Sequence, residues 1–241
     1  MVGISYIFLF ILAVGGKLLI RLEDVCYAYD GVPVLRHVDC TIAKGEAVAL
    51  SGPNGAGKST LLRMLNGLIY PELGRYLFKG TEITAARMRE HRYAKSFHQQ
   101  VGFVWQNPDI QLFCGSVAEE LAFGPEQMGL PAEEIERRVE DALELAGITH
   151  LRERAPYTLS GGEKKKTAIA SILTMNPAVW TLDEPLSALD EVGQQWLIEF
   201  LLALKQAGKT LIFSTHDAGL TRQLADKEIR LDAAHLCTIR S

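Results

Sequence analysis

The residues with the most recognisable chemistry form a glycine-rich segment at positions 52–59, which reads GPNGAGKS and fits the pattern GxxxxGK[ST]. An apolar run precedes it and a helix-like pattern follows, so we expect a loop between a buried strand and a helix. Glycines let successive backbone N–H groups point into one concavity, and a helix start adds partial positive charge. The segment therefore predicts a phosphate-binding loop (P-loop), with Lys58 on the outer phosphates and the Ser59 hydroxyl on Mg²⁺. A plain glycine-rich turn is the alternative.

Two adjacent carboxylates, Asp183 and Glu184, follow the apolar run at 179–182. Such a strand is buried in a parallel sheet, and its carboxyl end lies at the edge where these sheets bind ligands. At that edge Asp183 is placed to hold Mg²⁺ through water, and Glu184 to orient or deprotonate an attacking water molecule. Two acids at a strand end are also typical of a solvated turn, but the P-loop upstream favours the catalytic interpretation.

A third segment, LSGGE at positions 159–163, has the pattern of a helix start. Ser160 is the predicted N-cap, and Glu163 reaches back to complete a capping box. On its own this segment predicts only a capped helix. A further function is indicated because the segment shares a chain with the P-loop and the acidic pair. We refer to residues 159–163 as the signature.

The elements that must position these residues alternate along the chain. Apolar runs at 47–50, 101–105, 179–182 and 211–215 predict buried strands, with helical patterns between them and a β-rich stretch before them. The alternation predicts an α/β fold with a mainly parallel sheet and helices on its faces. A chain of 241 residues is long enough to bury a sizeable core.

Three helices are delimited by their own signals. Residues 131–147 begin with proline, end with glycine and carry an apolar face. Residues 190–208 start at Asp190, a plausible N-cap. The predicted apolar face of this second helix consists of Val192, Trp196, Phe200, Leu201 and Leu204. The third helix follows the signature and ends at Asn176-Pro177, because the residue before a proline disfavours helical backbone.

These segments, in this order, resemble the motifs of the nucleotide-binding subunits of ATP-binding-cassette (ABC) transporters. The resemblance extends from about Leu18 to the C-terminus. It implies a P-loop NTPase core of the ABC ATPase type with a mainly parallel sheet, an N-terminal antiparallel β subdomain and an α-helical subdomain inserted at about 107–165. It also implies that the chain binds and hydrolyses ATP to drive transport across a membrane.

The resemblance implies roles for individual residues as well. Tyr29 matches the aromatic residue that stacks on adenine, Gln106 the glutamine that senses Mg²⁺ and water, and His216 the histidine that contacts the γ-phosphate. The implied catalytic residues are Glu184, His216, Gln106 and Lys58. The implied Mg²⁺ ligands are Ser59, Gln106 and Asp183. The implied ATP-binding residues are Tyr29, Gly52, Pro53, Asn54, Gly55, Ala56, Gly57, Lys58, Ser59 and Thr60.

Two further segments are expected to act between subunits. The resemblance implies that two ATPase subunits face each other head to tail, so that ATP held by Lys58 of one subunit is covered by the signature of the other. The residues implied to act in trans are Ser160, Gly161, Gly162 and Glu163, and those of the loop through which the subunits communicate are Ser187, Ala188, Leu189 and Asp190. A homodimer and a pair with a related ATPase both fit.

A narrower resemblance covers residues 106–113 (QNPDIQLF) and 119–126 (EELAFGPE), which look like the ATPases of energy-coupling-factor importers. Those importers take up cobalt, nickel or vitamins. The resemblance implies an integral membrane subunit bound to the helical subdomain, and hence a peripheral position on the cytoplasmic face of the cell membrane. Nickel or cobalt is the first expectation for the cargo and a vitamin the second. Alternatively, these stretches shape the helical subdomain of another class of ABC transporter.

Two other functional classes fit less well. A soluble ABC-type ATPase of repair or translation would carry tandem cassettes or a long insertion, and the chain between Lys58 and Ser160 is too short for a coiled-coil arm. A P-loop small-molecule kinase would not explain the signature. The net charge of −4 gives no sign of a nucleic-acid partner. The four cysteines lack metal-type spacing and, with ATP as substrate, predict reduced thiols in the cytosol.

Two features depart from the expected pattern. Lys164, Lys165 and Lys166 place cations at a helix start, where they oppose the macrodipole. We expect either a solvated basic face or a charge cluster that attracts the triphosphate held by a partner subunit. Residues 1–17 form an apolar extension shorter than the ~20 residues of a membrane-spanning helix. We favour a non-native or mis-assigned extension here, with a peripheral membrane-binding segment as the alternative.

Overall fold

The protein contains two β-sheets and eight α-helices within residues 18–240, the part of the chain described by the computed structural model. The predictions for residues 1–17 lie outside this part. The strands are β1 (Leu18–Tyr29), β2 (Val32–Ala43), β3 (Ala47–Ser51), β4 (Leu73–Phe78), β5 (Thr81–Glu82), β6 (Val101–Val104), β7 (Val179–Leu182), β8 (Thr210–Ser214), β9 (Lys227–Leu231) and β10 (Cys237–Arg240). The helices are α1 (Lys58–Leu65), α2 (Ala85–Met88), α3 (His91–His98), α4 (Val117–Met128), α5 (Ala132–Ala146), α6 (Gly161–Met175), α7 (Glu191–Gln206) and α8 (Ala218–Leu224).

The larger sheet has the strand order β10-β9-β3-β8-β7-β6. All neighbouring strands run parallel except β10, which is antiparallel to β9. The predicted apolar runs form β3, β6, β7 and β8, and their residues are buried almost throughout because helices cover both faces. The predicted α/β fold with a mainly parallel sheet is confirmed. Since β3 and β7 are both parallel to β8, their carboxyl ends meet at one edge.

The smaller sheet is antiparallel, with the order β2-β1-β4-β5. Its first strand, β1, pairs with β2 on one side and β4 on the other, and its register shifts at several points. Apolar side chains of β1, β2 and β4 belong to the same core cluster as those of α1. The predicted N-terminal antiparallel sheet is therefore present, and it lies against the P-loop helix.

Between β6 and β7 the chain forms helices joined by loops, without a β-strand. Helix α5 begins after Pro131 and stops at Gly147, which adopts a left-handed backbone at φ 65°, as the sequence predicted. Residues of α4, α5 and α6 share an apolar cluster separate from those of the large sheet. Helix α6 runs unbroken through residue 165, where we expected the helical subdomain to end. The division of the chain into domains stays a prediction.

Helix α7 follows the predicted boundaries but not the predicted apolar face in full. Asp190 caps its start, with the carboxylate accepting a hydrogen bond from Gly193 N at 2.8 Å. Leu201 and Leu204 are buried, whereas Val192 is 78% exposed, so its assignment to the apolar face was wrong. Val192 lies in the first turn, ahead of the part of the helix that packs on the sheet. None of the helices in the described part of the chain has both the length and the apolar character needed to span a membrane.

Candidate active site

The P-loop connects β3 to α1 and depends on glycine at two positions. Gly52 has φ 131°, and a Cβ there would lie 1.9 Å from the carbonyl oxygen of Leu231. Gly57 has φ 103°, and a Cβ there would lie 2.6 Å from the carbonyl oxygen of Val34. Both contacts are with backbone, which has no room to move away. Only glycine therefore allows the loop to pass this close to β9 and β2.

The start of α1 is left open toward this loop. Gly57 is its N-cap, and no side chain accepts a hydrogen bond from the first backbone N–H groups. The ammonium of Lys58 donates to the carbonyls of Gly52 (2.8 Å) and Pro53 (3.2 Å). Burial lowers the pKa of Lys58, and the carboxylates of Glu184 and Asp183 act in the opposite direction. The loop therefore combines unpaired N–H groups with a fixed cation, the arrangement that binds phosphate.

The acidic pair lies at the carboxyl end of β7, and a serine on the neighbouring strand orients it. Asp183 is only 6% exposed and accepts a 2.6 Å hydrogen bond from the Ser214 hydroxyl. The same hydroxyl accepts a 2.8 Å hydrogen bond from Glu184 N. The sequence did not single out Ser214, although a serine within the otherwise apolar strand β8 was a signal that could have identified it.

Glu184 has a strained backbone and an unsatisfied carboxylate oxygen. Its φ is 43°, in the left-handed region that residues with side chains rarely adopt. Its Oε1 atom lies 3.2 Å from Nε2 of His216, but not in hydrogen-bonding geometry. Oε1 is buried and has no hydrogen-bond partner among the described residues. Since buried polar atoms are normally paired, this oxygen is an acceptor available to a substrate or water.

Many of the predicted site residues line a common cleft of about 320 Å³, which we call the P-loop cleft; Gly52, Pro53 and Ala56 of the P-loop are not part of its lining. Its lining consists of Val34, Asn54, Gly55, Gly57, Lys58, Ser59, Thr60, Gln106, Asp183 and Glu184. His216 belongs to the same group, because its Nε2 is 3.2 Å from Lys58 Nζ. The hydroxyl, amide and carboxylate oxygens of Ser59, Gln106 and Asp183 are the hard donors that Mg²⁺ prefers. This donor set fits a magnesium ion, and it leaves Oε1 of Glu184 free to accept a hydrogen bond from a water molecule.

Tyr29 is not among the residues that line this cleft. It lies at the end of β1, is 37% exposed, and contacts Tyr27 edge-on with ring centroids 5.0 Å apart. Its hydroxyl is within 3.4 Å of Nη1 of Arg63 on α1, which ties it loosely to the P-loop helix. An exposed ring near the P-loop is available for stacking, so the adenine role stays a prediction.

The signature and the loop at 187–190 meet at a second cleft of about 320 Å³, which we call the signature cleft. Its lining consists of Gly147, Ile148, His150, Ser160, Gly162, Glu163, Lys166, Ala188, Leu189, Asp190 and Gly193. The predicted capping box is present: Ser160 Oγ accepts from Glu163 N at 3.4 Å, and Glu163 Oε2 accepts from Ser160 N at 2.7 Å. None of these residues lines the P-loop cleft.

The three lysines after the signature do not form a solvated basic face, so that expectation was wrong. Lys164 pairs with Asp109 at 2.6 Å. Lys165 is fully buried and donates to two backbone carbonyls. The ammonium of Lys166 lies 5.0 Å from the centre of the Trp196 ring. Each cation thus contacts a nearby partner in the fold, and each partner comes from a segment distant in sequence.

A protein-family model described as ABC transporter matches residues 35–187, which include the P-loop, the signature and the acidic pair. The chain belongs to the ABC transporter family. Two curated relatives match most of this ABC ATPase. The nickel import ATP-binding protein LarO of Lactiplantibacillus plantarum is 42% identical over 90% of each chain. The energy-coupling factor transporter ATP-binding protein EcfA of Methanothermobacter thermautotrophicus is 42% identical over 90% of this chain and 69% of its own.

Solved structures show the same fold. CbiO1 from Clostridium perfringens, described as part of the ABC transporter complex cbiONQ, superposes with a TM-score of 0.79 at 35% identity, over 92% of this chain and 87% of its own. A dimeric post-hydrolysis state of the ATP-binding cassette MJ0796 bound to ADP and phosphate gives a TM-score of 0.83 at 25% identity, over 92% and 98% of the two chains. The ABC ATPase fold and the activity, ATP hydrolysis by a subunit of an ABC-type transporter, are thus confirmed, and such cassettes form dimers.

Proposed function

We propose that ATP is hydrolysed in the P-loop cleft with Glu184 as the general base. The observation that carries this assignment is the buried, unpaired Oε1 of Glu184 at the end of β7. A carboxylate oxygen with no partner can accept a proton from the attacking water. The left-handed backbone of Glu184 and the hydrogen bond from its N–H to Ser214 fix the main chain from which this side chain enters the cleft.

The other residues of the cleft bind and orient the triphosphate. Lys58 and the open start of α1 bind the phosphate oxygens. His216 lies 3.2 Å from both Lys58 Nζ and Glu184 Oε1, between the cation and the base, and so is placed to contact the γ-phosphate. Ser59, Gln106 and Asp183 would hold Mg²⁺. When bound, Mg²⁺ supplies positive charge that offsets the negative charge of the phosphates.

The signature is proposed to act on the ATP of a second subunit. Ser160, Gly162 and Glu163, with Gly161 between them in the sequence, line a cleft separate from the P-loop cleft of their chain. A head-to-tail pair gives each ATP one P-loop and one signature, and the dimeric MJ0796 cassette supports such an assembly. Ala188, Leu189 and Asp190 of the loop at 187–190 line the same cleft, and this loop, which begins at Ser187, would sense whether the partner is present. Both halves are complete in this chain, so a homodimer satisfies the site.

We further propose that the helical part binds an integral membrane subunit of an energy-coupling-factor importer. Phe113 and Phe123 are 67% and 40% exposed, and their rings contact edge-on at 4.9 Å. Ile110 nearby is 63% exposed. The buried carboxylate of Glu120 accepts hydrogen bonds from Phe113 N and Cys114 N, which fixes this segment. A preformed apolar patch of this kind is typical of a protein interface.

This contact would hold the ATPase peripherally at the cytoplasmic face of the cell membrane. Nickel or cobalt is the cargo we propose first, and a vitamin second. The names of LarO, a nickel import protein, and of EcfA, an energy-coupling factor protein, support this assignment. The narrower resemblance of residues 106–113 and 119–126 to energy-coupling-factor ATPases supports it as well.

Affinity purification from membranes, followed by identification of the proteins that come with the ATPase, tests the partner. The variant carrying Phe113→Ser and Phe123→Ser is expected to lose the membrane subunit while keeping its ATPase activity. Leu145→Ser is the matched control, because Leu145 is a 59% exposed apolar residue of α5 outside this patch. Equal recovery of a membrane protein with all variants would refute the interface, and recovery of none with the unaltered chain would refute the transport role.

Uptake of radioactive nickel and cobalt by cells with and without the gene tests the cargo. Loss of accumulation of either metal ion on deletion, restored by the unaltered gene but not by Glu184→Gln, is the expected result. Unchanged metal accumulation together with loss of vitamin uptake would shift the assignment to a vitamin importer of the same class.

A further inference from the structure

Lys165 is the most unusual cation of the described chain. It lies in the second turn of α6 and is fully buried, although burial of a charged group is costly unless its hydrogen bonds are replaced. Its ammonium donates to the backbone carbonyls of Trp105 and Gln106, both at 3.0 Å. These two residues follow β6 and form the start of the segment that carries Gln106 into the P-loop cleft. A lysine of the signature helix is thus bonded to the backbone of a proposed Mg²⁺ ligand.

The same segment has two other links to α6. The amide of Gln111 bridges the two elements, since its Oε1 accepts from Trp105 N at 3.2 Å and its Nε2 donates to the carbonyl of Ala168 at 2.9 Å. The more exposed pair of Lys164 and Asp109 lies at the far side of the segment. Of these links, only Lys165 contacts Gln106 itself.

The hydrogen bonds of the Lys165 ammonium go to neutral backbone carbonyls. Burial lowers the pKa of Lys165 to about 8, against the opposing effect of the carboxylates of Asp183 and Glu184. A residue that served only to fill space in the core would be apolar.

We propose that Lys165 is a positioning residue for ATP hydrolysis, which holds the backbone of Trp105 and Gln106 against α6 and thereby sets the Gln106 side chain at the cleft. Since α6 begins at the signature, the same bonds keep the Gln106 segment and Ser160 in a fixed relation. This inference rests on the proposed role of Gln106. It differs from a role in stability alone, because it requires the effect of Lys165 to act through Gln106.

Steady-state ATPase kinetics of Lys165→Met are the first measurement. Methionine keeps most of the length of the lysine side chain but cannot donate either hydrogen bond. We therefore expect kcat to fall about tenfold or more, as is typical when a residue that orients a metal ligand is lost. KM for ATP is expected to change less than about twofold, because the P-loop is untouched. The Mg²⁺ concentration needed for half-maximal activity is expected to rise. Lys165→Arg, which keeps the charge and the donors, is expected to restore most of kcat.

Lys209→Met is the matched control. Lys209 bonds to the carbonyl and side-chain oxygens of Asn176, the C-cap at the other end of α6, far from the cleft. It removes a lysine contact to the same helix, so we expect a lower melting temperature with unchanged kcat and unchanged Mg²⁺ dependence. The same pattern in Lys165→Met would overturn the proposal, because it would assign Lys165 to stability alone.

A double-mutant cycle with Gln106→Ala separates this inference from the function on which it rests. If Lys165 acts through Gln106, Lys165→Met lowers kcat about tenfold in the native background but less than about twofold when Gln106 is already alanine. If the two substitutions instead lower kcat independently, so that their fold-losses multiply in the double variant, the positioning role is overturned. Full activity of Gln106→Ala would overturn the proposed role of Gln106 and this inference with it, whereas a loss in Gln106→Ala with full activity in Lys165→Met overturns the inference alone. If Lys165→Met does not fold, Lys165→Gln, which keeps one donor, enters the same cycle under the same criteria.

Discussion

The two helices that begin at the two clefts start in opposite ways. Helix α1 has a glycine N-cap and no side chain bonded to its first N–H groups. Helix α6 has a complete capping box, in which Ser160 and Glu163 satisfy each other's backbone N–H. Free N–H groups need a ligand, whereas a capped helix start is stable without one. We infer that α1 supplies most of the phosphate-binding energy and that α6 is a preformed surface that closes over a partner's nucleotide.

The clefts also differ in what their charged side chains do. The P-loop cleft holds Lys58, Asp183 and Glu184, all partly or fully buried. The signature cleft contains Glu163, Lys166 and Asp190, but Glu163 and Asp190 cap helices and Lys166 lies against the Trp196 ring. The residues proposed to hydrolyse ATP therefore lie on one side of the composite site, and the other side contributes a preformed surface. We consequently expect substitutions in the P-loop cleft to lower ATP binding or turnover, and substitutions in the signature cleft to weaken dimerisation.

The largest expected effect comes from Glu184→Gln in the P-loop cleft. The amide cannot accept a proton, so we expect turnover to fall about a hundredfold or more, the range of a lost general base. ATP binding and ATP-dependent dimerisation should persist, because Lys58 and the signature are intact. Phosphate release and size-exclusion chromatography with ATP measure the two properties. Near-normal turnover would remove Glu184 as the base; Glu144→Gln, at an exposed position of α5, serves as the control.

Gly57→Ala is expected to weaken the binding of ATP phosphates at the start of α1. The new Cβ would lie 2.6 Å from the carbonyl of Val34 at a φ of 103°, so the loop must distort. We expect ATP affinity to fall at least about tenfold, equivalent to about 1.4 kcal/mol, as measured by fluorescent-nucleotide binding. Gly80→Ala is the control, since Gly80 also has a positive φ but open space around it. Equal ATP affinity in the two variants would contradict the importance of the close approach.

Ser160→Ala is expected to have a smaller effect, on stability and dimerisation rather than on ATP binding. Loss of the N-cap is expected to lower the free energy of unfolding by about 1 kcal/mol, which urea denaturation can measure. ATP binding by the isolated subunit should be unchanged, because Ser160 is absent from the P-loop cleft. ATP-dependent dimerisation should weaken. A loss of ATP affinity in the monomer would show that the two clefts are not independent.

Glu163→Gln is expected to have the smallest effect, a loss of a few tenths of a kcal/mol in stability near pH 7. The hydrogen bond from Ser160 N lowers the pKa of Glu163 below its unfolded value of 4.5, followed in importance by the bond to the Ser160 side chain. A depressed carboxylate pKa stabilises the fold above the unfolded pKa, and this stabilisation is lost as pH falls through the folded pKa. The difference in melting temperature between the two proteins should therefore persist from neutral pH down to 4.5 and shrink as the pH falls further, through the folded pKa of Glu163. A constant difference would exclude the ionised form as its origin.

The sequence predicted the parallel strands and the P-loop well, because both are local. Ala47, Val48, Ala49 and Leu50 are all buried, as a continuous apolar run requires. The capping box was likewise predictable, because Ser160 and Glu163 are only three residues apart in the sequence. The same holds for the N-cap at Asp190 and the glycine that ends α5.

The features that the sequence did not predict depend on contacts between segments far apart in sequence. Lys165 looked solvated because its partners, the carbonyls of Trp105 and Gln106, lie about sixty positions earlier and are backbone atoms without a sequence signal. Val192 looked apolar and buried, but it lies on the exposed side of the first turn of α7, in which Gly193 is buried. Ser214 gains its role only because β8 lies beside β7. Periodicity shows which side of an element is apolar, but not which polar group of another element will face it.

The place of β3 in the large sheet bears on how the protein is made. The strand that leads into the P-loop is flanked by β8 and β9, which are formed by residues near the end of the chain. The carbonyl of Leu231 on β9 also lies directly against Gly52. A ribosome-bound chain that ends before β8 contains the whole P-loop sequence but neither of these supports, and contacts so distant in sequence form late. We therefore expect nascent chains to bind and hydrolyse ATP only after β8 and β9 have been synthesised.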